Sequence, residues 1–382
     1  MSEEEEKKRI LCVGSAGIDF VALVSKFPQP DEKIRSSALL VEGGGNAANT
    51  ACAIGRLGYC HVGLVTSIGT DVHGTMILSG LQQDHVDTQL VQTHSNATSP
   101  FTYILSESTH HTRTCIHQPG SHTVTSDFVR QTVIPQLHTY TAVHFDVRQV
   151  DASIDIAQYC ISHPIPYSVD VEKPRPGLLD LMAHATIILC NSTFCQTALS
   201  SQLVLQTTPL VPNKHPNKRC TILHNLKTVM TKLAPKAKII ITTLGQDGSC
   251  LYLPGSKFEE EEVVIMEQVT SQYGALWCSS NTDINVVDTT GAGDAFQGGF
   301  LTAYYSSNTT TSFDNQNSMK SLAHALRFAT HVATQKVQAP GARKGLPTSS
   351  DPFLQSEMQQ LKQQQQQHVK KSCNAKKQKT KS

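Results

Sequence analysis

The sequence lacks the features that mark several whole classes of protein. Its 382 residues hold 32 Lys and Arg against 31 Asp and Glu, and the net charge of +1 gives no sign of a nucleic-acid partner. No apolar run approaches the roughly 18–20 residues that a membrane helix requires. Residues 1–9 are acidic and then basic, without the apolar segment of a secretory signal. We therefore expect a cytoplasmic protein.

Paired cysteines are missing as well. The 11 cysteines are scattered and form no Cys-Xaa-Xaa-Cys motif, and Cys12, Cys190 and Cys250 fall inside apolar stretches. This usage is typical of reduced core residues and argues against a disulfide framework or a structural zinc site. The chain is long enough for a substantial core, arranged as one large α/β domain or two smaller ones.

A dense glycine motif occupies residues 286–296, Val-Val-Asp-Thr-Thr-Gly-Ala-Gly-Asp-Ala-Phe. It predicts a strand end, a turn at Gly291 and Gly293, and the start of a helix. The first N–H groups of a helix lack intrahelical partners and lie at the positive end of its dipole, so this turn can hold a phosphate. Asp294 would repel that phosphate unless it takes a proton from an attacking hydroxyl. An ordinary capped turn is the alternative.

A second glycine run, Gly-Gly-Gly-Asn-Ala-Ala-Asn-Thr-Ala at 43–51, leads into a helix predicted from Ala47 to Leu57. Asn46 and Asn49 are three residues apart, so both face the same side of its first turn. Their amides can donate to and accept from vicinal hydroxyls, which suits a sugar or polyol. The alternative is a capping Asn followed by a surface Asn.

Both motifs resemble the two signatures of the ribokinase-like (PfkB-type) carbohydrate kinases, in the order and at the rough separation of that family. The resemblance implies an α/β fold with a doubly wound, mostly parallel sheet flanked by helices, and a small β-sheet lid. It also implies ATP and Mg²⁺, with K⁺ as a further cofactor. The roles that it implies are catalytic base for Asp294, anion hole for Gly291, Ala292 and Gly293, monovalent-cation site for Asp288 and Thr290, and sugar binding for Asp19, Gly45, Asn46 and Asn49.

The residues themselves support the same fold class, because short apolar runs alternate with helical segments. Asp19 follows the apolar run 10–14, and such sheets bind ligands at the carboxyl ends of their strands. Strands near 18–41 and a hairpin within 100–118 predict a small separate sheet. In the resembled family this sheet is the lid, and in several members it joins two subunits, so a homodimer is one expectation. Arg113 would point from the lid toward the phosphates, with a solvated edge-strand Arg as the alternative.

The nucleotide is expected at residues 243–248, Thr-Leu-Gly-Gln-Asp-Gly, which resemble the nucleotide loop of the family. Gly245 and Gly248 would let the backbone follow the triphosphate and ribose. Asn191, at another predicted strand end, completes the predicted nucleotide-binding set. A simple β-turn is the alternative reading of the glycine pair.

The magnesium ligands are not assigned by the sequence. The family often carries Glu three residues after the Asn at that strand end, where it helps to organise hydrated magnesium, but this chain has Phe194. Glu172 and Glu42 are candidate replacements, and the residues do not decide between them.

Within the family, the ketohexokinase (fructokinase) branch shares further strings with this chain. We therefore predict ATP-dependent phosphorylation of a primary hydroxyl of a sugar, with a ketohexose such as fructose as substrate. One alternative is an adenosine-like nucleoside kinase, for which Phe101 and Tyr103 offer an aromatic clamp, and another is a non-catalytic interaction protein. The shared strings are Ile-Leu-Cys-Val-Gly at 10–14 with Asp19, Phe27-Pro28 with Ile34-Arg35, and Ser-Val-Asp-Val-Glu-Lys-Pro-Arg at 168–175.

The resemblance sets the domain boundaries at 9–348 and is patchy between 196 and 285. Residues 1–8 are expected to be disordered, and so is the Gln- and Lys-rich tail at 349–382, with a fraying helix as the alternative for the tail. The basic end of that tail would suit a nuclear address as an alternative location. Residues 204–222 read as an inserted loop, and residues 255–283 lengthen the connection before the glycine turn, where they could border the adenine.

Overall fold

The computed structural model describes residues 7–107, 109, 112–200, 218–255, 263–272, 274–307 and 316–364. It contains one large sheet with helices on both faces and a second, small sheet at one edge. The strands of the large sheet are β1 Arg9–Val13, β4 His61–Gly69, β5 Val86–Asp87, β6 Val91–His94, β9 Ala142–Phe145, β10 Tyr167–Val171, β11 Ile187–Asn191, β12 Ile239–Thr243, β13 Ser249–Tyr252, β14 Val263–Met266, β15 Val269–Gln272 and β16 Ala275–Cys278. Those of the small sheet are β2 Gly17–Val24, β3 Ala38–Gly44, β7 Phe101–Glu107 and β8 Thr112–Gln118.

The helices lie mostly between successive strands, as a wound α/β sheet requires. The first of the short segments, α3, continues into a π-helical turn at Val129–Val133 and a 3₁₀ segment at Ile134–Thr139. The helices are α1 Asn46–Leu57, α2 Val72–Gln83, α3 Ser126–Phe128, α4 Val150–Ser162, α5 Leu178–Met182, α6 Ser192–Ser200, α7 Lys218–Leu233, α8 Ala292–Ser306, α9 Gln316–Lys336 and α10 at 352–364.

The central strands of the large sheet are parallel and buried on both faces. In sheet order β12, β11, β10, β9, β1 and β4 are neighbours, and every pair among them is parallel. Along β1, Ile10 and Cys12 pack into one core, whereas Leu11 and Val13 pack into another on the opposite face. This two-residue period between two cores explains why β1 is a continuous apolar run. It also brings the carboxyl ends of these strands to one edge.

The small sheet has the strand order β3-β2-β7-β8, and its strands fall in the two stretches that the sequence singled out. The one difference is that β3 begins at Ala38, so residues 33–37 are not strand. Successive side chains point to opposite faces of a strand. Val21 and Ile104 lie on one face and line a cavity together with residues 288, 290, 341 and 342, and Phe20 and Tyr103 lie on the other face.

The region after residue 348 is more ordered than the sequence suggested. Residues 352–364 form α10, in which Leu354, Met358 and Leu361 are buried at helical spacing. Buried Glu357 accepts hydrogen bonds from His324 Nδ1 at 2.7 Å and from Arg327 Nη1 at 3.2 Å, both on α9. Residues 352–364 thus follow the helical alternative and not the disordered one, with an apolar stripe that the Gln-rich composition concealed. Residues 365–382, including the basic end, lie outside the described residues.

The two segments predicted as an insertion and a long connection, 204–222 and 255–283, are only partly described by the structure. Most of the loop predicted at 204–222 is not described, whereas residues 218–222 belong to α7. The connection predicted at 255–283 includes β14, β15 and β16, which extend the large sheet by antiparallel pairing. Within the part of the chain that the structure describes, no helix is both long enough and apolar enough to cross a membrane.

Candidate active site

The glycine turn lies at the start of α8. Gly291 is the N-cap and has a φ of 73°, and a Cβ there would come within 2.9 Å of Ala342 backbone atoms. Glycine is therefore required at 291 by the fold itself. Gly293 is different, because a Cβ there would meet nothing within 4 Å. The absence of a side chain at 293 serves no packing purpose and leaves the N–H of Gly293 accessible to a ligand, whereas the N–H of Ala292 donates to the carbonyl oxygen of Thr289 at 3.1 Å.

Asp294 lies in the first turn of α8 and is 8% exposed. Burial raises the pKa of Asp294 to about 7, although a hydrogen bond from Asn49 opposes the rise. The charges of Glu172 and Asp146 raise this pKa further, and the charge of Arg343 lowers it. A carboxylate with a pKa near neutrality can accept a proton and release it again at neutral pH, which is what a general base must do.

Asn49 connects this carboxylate to a buried guanidinium. Its Nδ2 donates to Asp294 Oδ2 at 2.8 Å, and its Oδ1 accepts from Arg343 Nε at 2.9 Å. A carboxylate only accepts and a guanidinium only donates, so a single orientation of the Asn49 amide satisfies both partners. The sequence predicted that Asn49 binds sugar hydroxyls. In the structure both of its amide atoms are already occupied by protein groups.

Arg343 was missed by the sequence analysis. It is 5% exposed, and besides Asn49 it donates from Nη2 to the carbonyl oxygen of Gly44 at 3.0 Å. A Cβ on Gly43 would lie 2.1 Å from Arg343 Nη1, so the glycine run admits the guanidinium. The backbone carbonyl oxygen of Arg343 in turn accepts from Arg56 Nη1 at 2.7 Å. No local pattern could have found it, since 294 residues separate Arg343 from Asn49.

Asn46 contacts a second carboxyl group. Its Nδ2 donates to Asp170 Oδ2 at 3.3 Å, and Asp170, at the end of β10, is 5% exposed. Burial and then the charges of Glu172 and Asp294 raise the pKa of Asp170 well above its ordinary value. Asp170 and Asp294 line the same small cavity. The two asparagines thus face one pair of buried carboxyl groups, as their three-residue spacing indicated, and Asp170 is a second residue that the sequence did not single out. Gly45 lies just before them, as the N-cap of α1.

A larger cleft of ≈ 680 Å³ adjoins this cavity. Gly245 and Gly248 line one side of it, and Ala292 and Gly293 line the other. The size and the mostly apolar lining suit a nucleotide. Asn191 lies apart, on the Asp294 cavity, where its Oδ1 accepts from the backbone N–H of Phe194. The other residues that line the larger cleft are Thr243, Gln246, Ser280, Asn281, Thr282, Ile284, Val286, Thr289, Phe296, Thr330, Ala333, Thr334 and Val337.

The small sheet reaches the glycine turn through Arg113. The Nη1 of Arg113 donates to Thr290 Oγ1 at 2.6 Å. Asp19 lines the same cavity, and burial raises its pKa although Thr102 donates a hydrogen bond to it. Asp19 and Arg113 therefore both face inward from the small sheet, on opposite sides of a space that ends at Asp288 and Thr290.

Hydrogen bonds hold Asp288 in place. Its carboxylate accepts from the backbone N–H groups of Thr290 at 2.8 Å and Gly341 at 2.9 Å, and its carbonyl oxygen accepts from Lys336 Nζ at 2.7 Å. Burial raises the pKa of Asp288, but the hydrogen bonds outweigh it and the net shift is downward. The monovalent cation expected at Asp288 and Thr290 stays a prediction.

The two candidate magnesium ligands line the site cavities but are paired with basic side chains. Glu172 pairs with Arg148 at 3.2 Å, and Glu42 pairs with Lys344 at 2.5 Å. Phe194 is fully buried in the core. Among the residues that the structure describes, no group of three or more His, Cys, Asp or Glu side chains could hold a metal ion.

Comparison with known proteins identifies the family. The model of the pfkB family of carbohydrate kinases matches residues 7–349. A ribokinase of Bacillus subtilis (strain 168) is 26% identical over 346 residues, which cover 90% of this chain and 98% of the relative. A ketohexokinase of Mus musculus is 24% identical, but over only 49% of this chain and 64% of its own length. A nucleoside kinase of Methanocaldococcus jannaschii is 23% identical over 78% of the chain and 83% of its own length.

Solved structures show the same fold. A ribokinase of Arabidopsis thaliana, complexed with ribose and ATP, has a TM-score of 0.68 at 20% identity and covers 92% of this chain and 99% of its own. A ribokinase of Cryptococcus neoformans, in complex with ADP, has a TM-score of 0.66 at 22% identity and covers 93% of this chain and 100% of its own. The predicted ribokinase-like α/β fold with its separate small sheet is thereby confirmed. The chain belongs to the pfkB family of carbohydrate kinases.

Proposed function

We propose that this kinase transfers the terminal phosphoryl group of ATP to a primary hydroxyl of a sugar, with Asp294 as the base. The observation that carries the proposal is the position of Gly293. It lines the nucleotide-sized cleft and also the small cavity that contains Asp294. A phosphate held by the N–H groups of α8 would thus lie next to a carboxylate with a pKa of about 7.

In this mechanism the protein positions and neutralises groups more than it forms bonds. Bound ATP, with magnesium on its phosphates, supplies the phosphoryl group. Asp294 takes the proton of the attacking hydroxyl, while Asn49 holds one of its carboxylate oxygens in place. The backbone N–H groups at Ala292 and Gly293 oppose the charge that develops on the transferred group. Asp19, in the cavity under the small sheet, and Asn46, beside Asp170, orient the sugar.

The proposal also ranks the sugars that this kinase would phosphorylate. The shared strings at 10–14 and 168–175 favour a ketohexose such as fructose, whereas the relatives that cover most of the chain include ribokinases. Because ribokinases match about 90% of the chain and the ketohexokinase matches 49%, we place ribose first and fructose second. Both sugars present a primary hydroxyl to the base.

A coupled ATP-consumption assay with ribose, fructose and adenosine tests the proposal. We expect turnover with one of the two sugars and a product whose phosphate is on the primary carbon, as read by NMR. Turnover with adenosine alone would instead establish the nucleoside kinase suggested by two relatives of that name. Turnover with none, in a protein that melts at the same temperature with and without ATP, would favour the non-catalytic reading.

One structural observation weighs against the nucleoside alternative. Phe101 and Tyr103 were the candidate clamp for a base, but they lie on the face of the small sheet opposite to Ile104. Ile104 lines the cavity with Asp19. The two rings pack against each other with centroids 5.2 Å apart, and Phe101 also packs on His73 of α2 at 5.1 Å. The proposed clamp therefore faces away from the site.

Replacing Gly293 with Ala tests the anion hole. Since no atom lies within 4 Å of the new Cβ, the fold should be intact, and the melting temperature should stay the same or rise because Ala favours a helix by up to about 1 kcal/mol. The Cβ would nevertheless enter the space that a phosphate needs. We expect kcat/KM for ATP to fall about tenfold or more.

Gly299→Ala in the same helix is the matched control. A Cβ there would meet Ala329 and Val332 of α9 at 3.0–3.1 Å, so its cost should fall on thermal stability and leave the KM for ATP unchanged. A Gly293→Ala enzyme with wild-type turnover and wild-type KM for ATP would rule out the anion-hole assignment.

We also propose that the outer face of the small sheet joins two copies of the chain. Val41, Phe20, Tyr103 and Ile116 are register neighbours across its four strands, and Val41, Tyr103 and Ile116 are 42%, 52% and 60% exposed. Such an apolar stripe favours association. Light scattering should give a dimer for the wild type and a monomer for Ile116→Glu, with Val264→Glu at the far end of the large sheet as control. A monomeric wild type would contradict the proposal.

A further inference from the structure

Lys336 is a charged residue that neither the motifs nor the proposed mechanism uses. It is the last residue of α9, and its side chain is 0% exposed. A buried ammonium is costly unless it is paired and hydrogen-bonded. Its Nζ donates to the carbonyl oxygen of Asp288 at 2.7 Å. Burial lowers the pKa of Lys336 to about 8, and the neighbouring Asp288 opposes the shift.

The ammonium lies where α9 and the glycine turn are joined. The backbone N–H groups of Val287 and Asp288 both donate to the carbonyl oxygen of Val337, at 2.8 and 3.1 Å. The carboxylate of Asp288 accepts from Gly341, four residues beyond Val337. Lys336 thus places a positive charge inside the joint, against the carbonyl oxygen of Asp288, which lies three residues before Gly291. The other charges that act on it are Arg113, which lowers its pKa, and Asp294, which raises it.

The family resemblance implies a monovalent cation at Asp288 and Thr290, and the residues present do not fit one well. A bound potassium ion would need oxygen ligands in this joint. The carbonyl oxygen of Asp288 already accepts from an ammonium, and the two oxygens of its carboxylate accept from Thr290 and Gly341. A second positive charge in this buried space would be repelled by Lys336, with little solvent to screen it.

We propose that the ammonium group of Lys336 takes the place of the monovalent cation, so that this kinase works without potassium. The charge is carried by the chain itself and is fixed to the backbone that shapes the anion hole. An ammonium can play this part because it has the same charge as potassium and forms strong bonds to carbonyl oxygens. The inference rests on the kinase activity and not on which sugar is the substrate.

The test compares the full-length enzyme in potassium chloride and in tetramethylammonium chloride at the same ionic strength. The wild type should turn over at the same rate within about twofold in the two salts, and its melting temperature with ATP should be the same in both. Lys336→Ala removes the ammonium and leaves space. Its turnover should fall at least about tenfold in tetramethylammonium and recover in part in potassium. Its melting temperature should rise with potassium.

Two variants complete the experiment. Lys336→Arg keeps the charge and should remain independent of potassium. Lys344→Met removes the neighbouring lysine, which is 52% exposed and pairs with Glu42, and should also remain independent of potassium. A wild type that potassium activates tenfold or more would overturn the proposal, even if no Lys336 variant folds. So would a Lys336→Ala enzyme that stays as active in tetramethylammonium as in potassium. If no sugar is turned over, the melting temperatures with ATP still decide.

Discussion

Replacing Asp294 with Asn should lower kcat by about a thousandfold or more and leave the binding of ATP largely unchanged. General bases contribute about 10²–10⁴-fold to rate, and an amide cannot take the proton of the attacking hydroxyl. The Asn side chain is almost the same size as the Asp side chain, so the shape of the cleft beyond Gly293 should not change. Steady-state assays with saturating sugar and nucleotide measure kcat, and calorimetry measures nucleotide affinity. A variant that keeps wild-type turnover would refute the assignment of Asp294 as the base.

The pH dependence of the rate and of the stability provides an independent test of the role of Asp294. The pKa of Asp294 lies at about 7 instead of 3.8, so the wild-type rate should rise with pH up to that region as the base ionises. Since folding disfavours the ionised form, the carboxylate destabilises the native state increasingly above pH 4 and fully above pH 7. We therefore expect Asp294→Asn to be at least as thermally stable as the wild type at pH 8, with the gain lost near pH 4. A loss of stability at pH 8 would mean that the variant fails by misfolding.

The parts of the site that the sequence predicted are the parts that are contiguous in the chain. Local rules were sufficient for the turn from Gly291 to Asp294 and for the glycine run before Asn46. In each case the residues that set the backbone conformation and the start of the helix are neighbours in sequence. The alternation of apolar strands and helices predicted the sheet for the same reason. The position of Asp19 at the end of a buried strand followed from the way parallel sheets place their carboxyl ends together.

The residues that the sequence missed act across long separations. Arg343, Lys336 and Asp170 are single charged residues, and charged residues usually face solvent, so nothing in their local sequence marks them as buried. Their meaning depends on partners that only folding brings near, such as Asn49 for Arg343. The sequence also could not predict which face of a strand points toward the site. Whether Tyr103 or Ile104 points inward depends on the register between strands and not on composition. Apolar periodicity existed in α10 but was obscured by glutamines.

Replacing Arg343 with Gln should reduce kcat about a hundredfold at pH 7, although this residue is joined to the base through Asn49 and not directly. Its guanidinium fixes the orientation of the Asn49 amide, which in turn fixes one oxygen of Asp294. A glutamine can present either a donor or an acceptor to Asn49, so only the ionised Asp294 carboxylate would still select the orientation of that amide. Small displacements of a catalytic group can cost about 10²-fold in rate. The KM for ATP should change little.

The pH profile separates this positioning role from a purely structural one. The charge of Arg343 lowers the pKa of Asp294, so its loss should move the acid limb of kcat to higher pH. The other groups that act on this carboxylate include Asn49, Glu172, Asp146, Asp170 and Lys336, and they are unchanged in the variant. Arg343→Lys keeps the charge without the fork of donors. It should therefore restore the position of the acid limb but only part of the rate.

Arg56→Lys is the control one step further from the base. Arg56 donates to the carbonyl oxygen of Arg343 and pairs with Asp84 at 2.5 Å, so its change should lower thermal stability without moving the acid limb. If Arg343→Gln behaves like this control, with a lower melting temperature, an unchanged pH profile and wild-type kcat, then the buried guanidinium serves only packing. If instead the acid limb moves and kcat falls while the enzyme stays folded, then orientation of the base depends on a residue 49 positions beyond it in the chain.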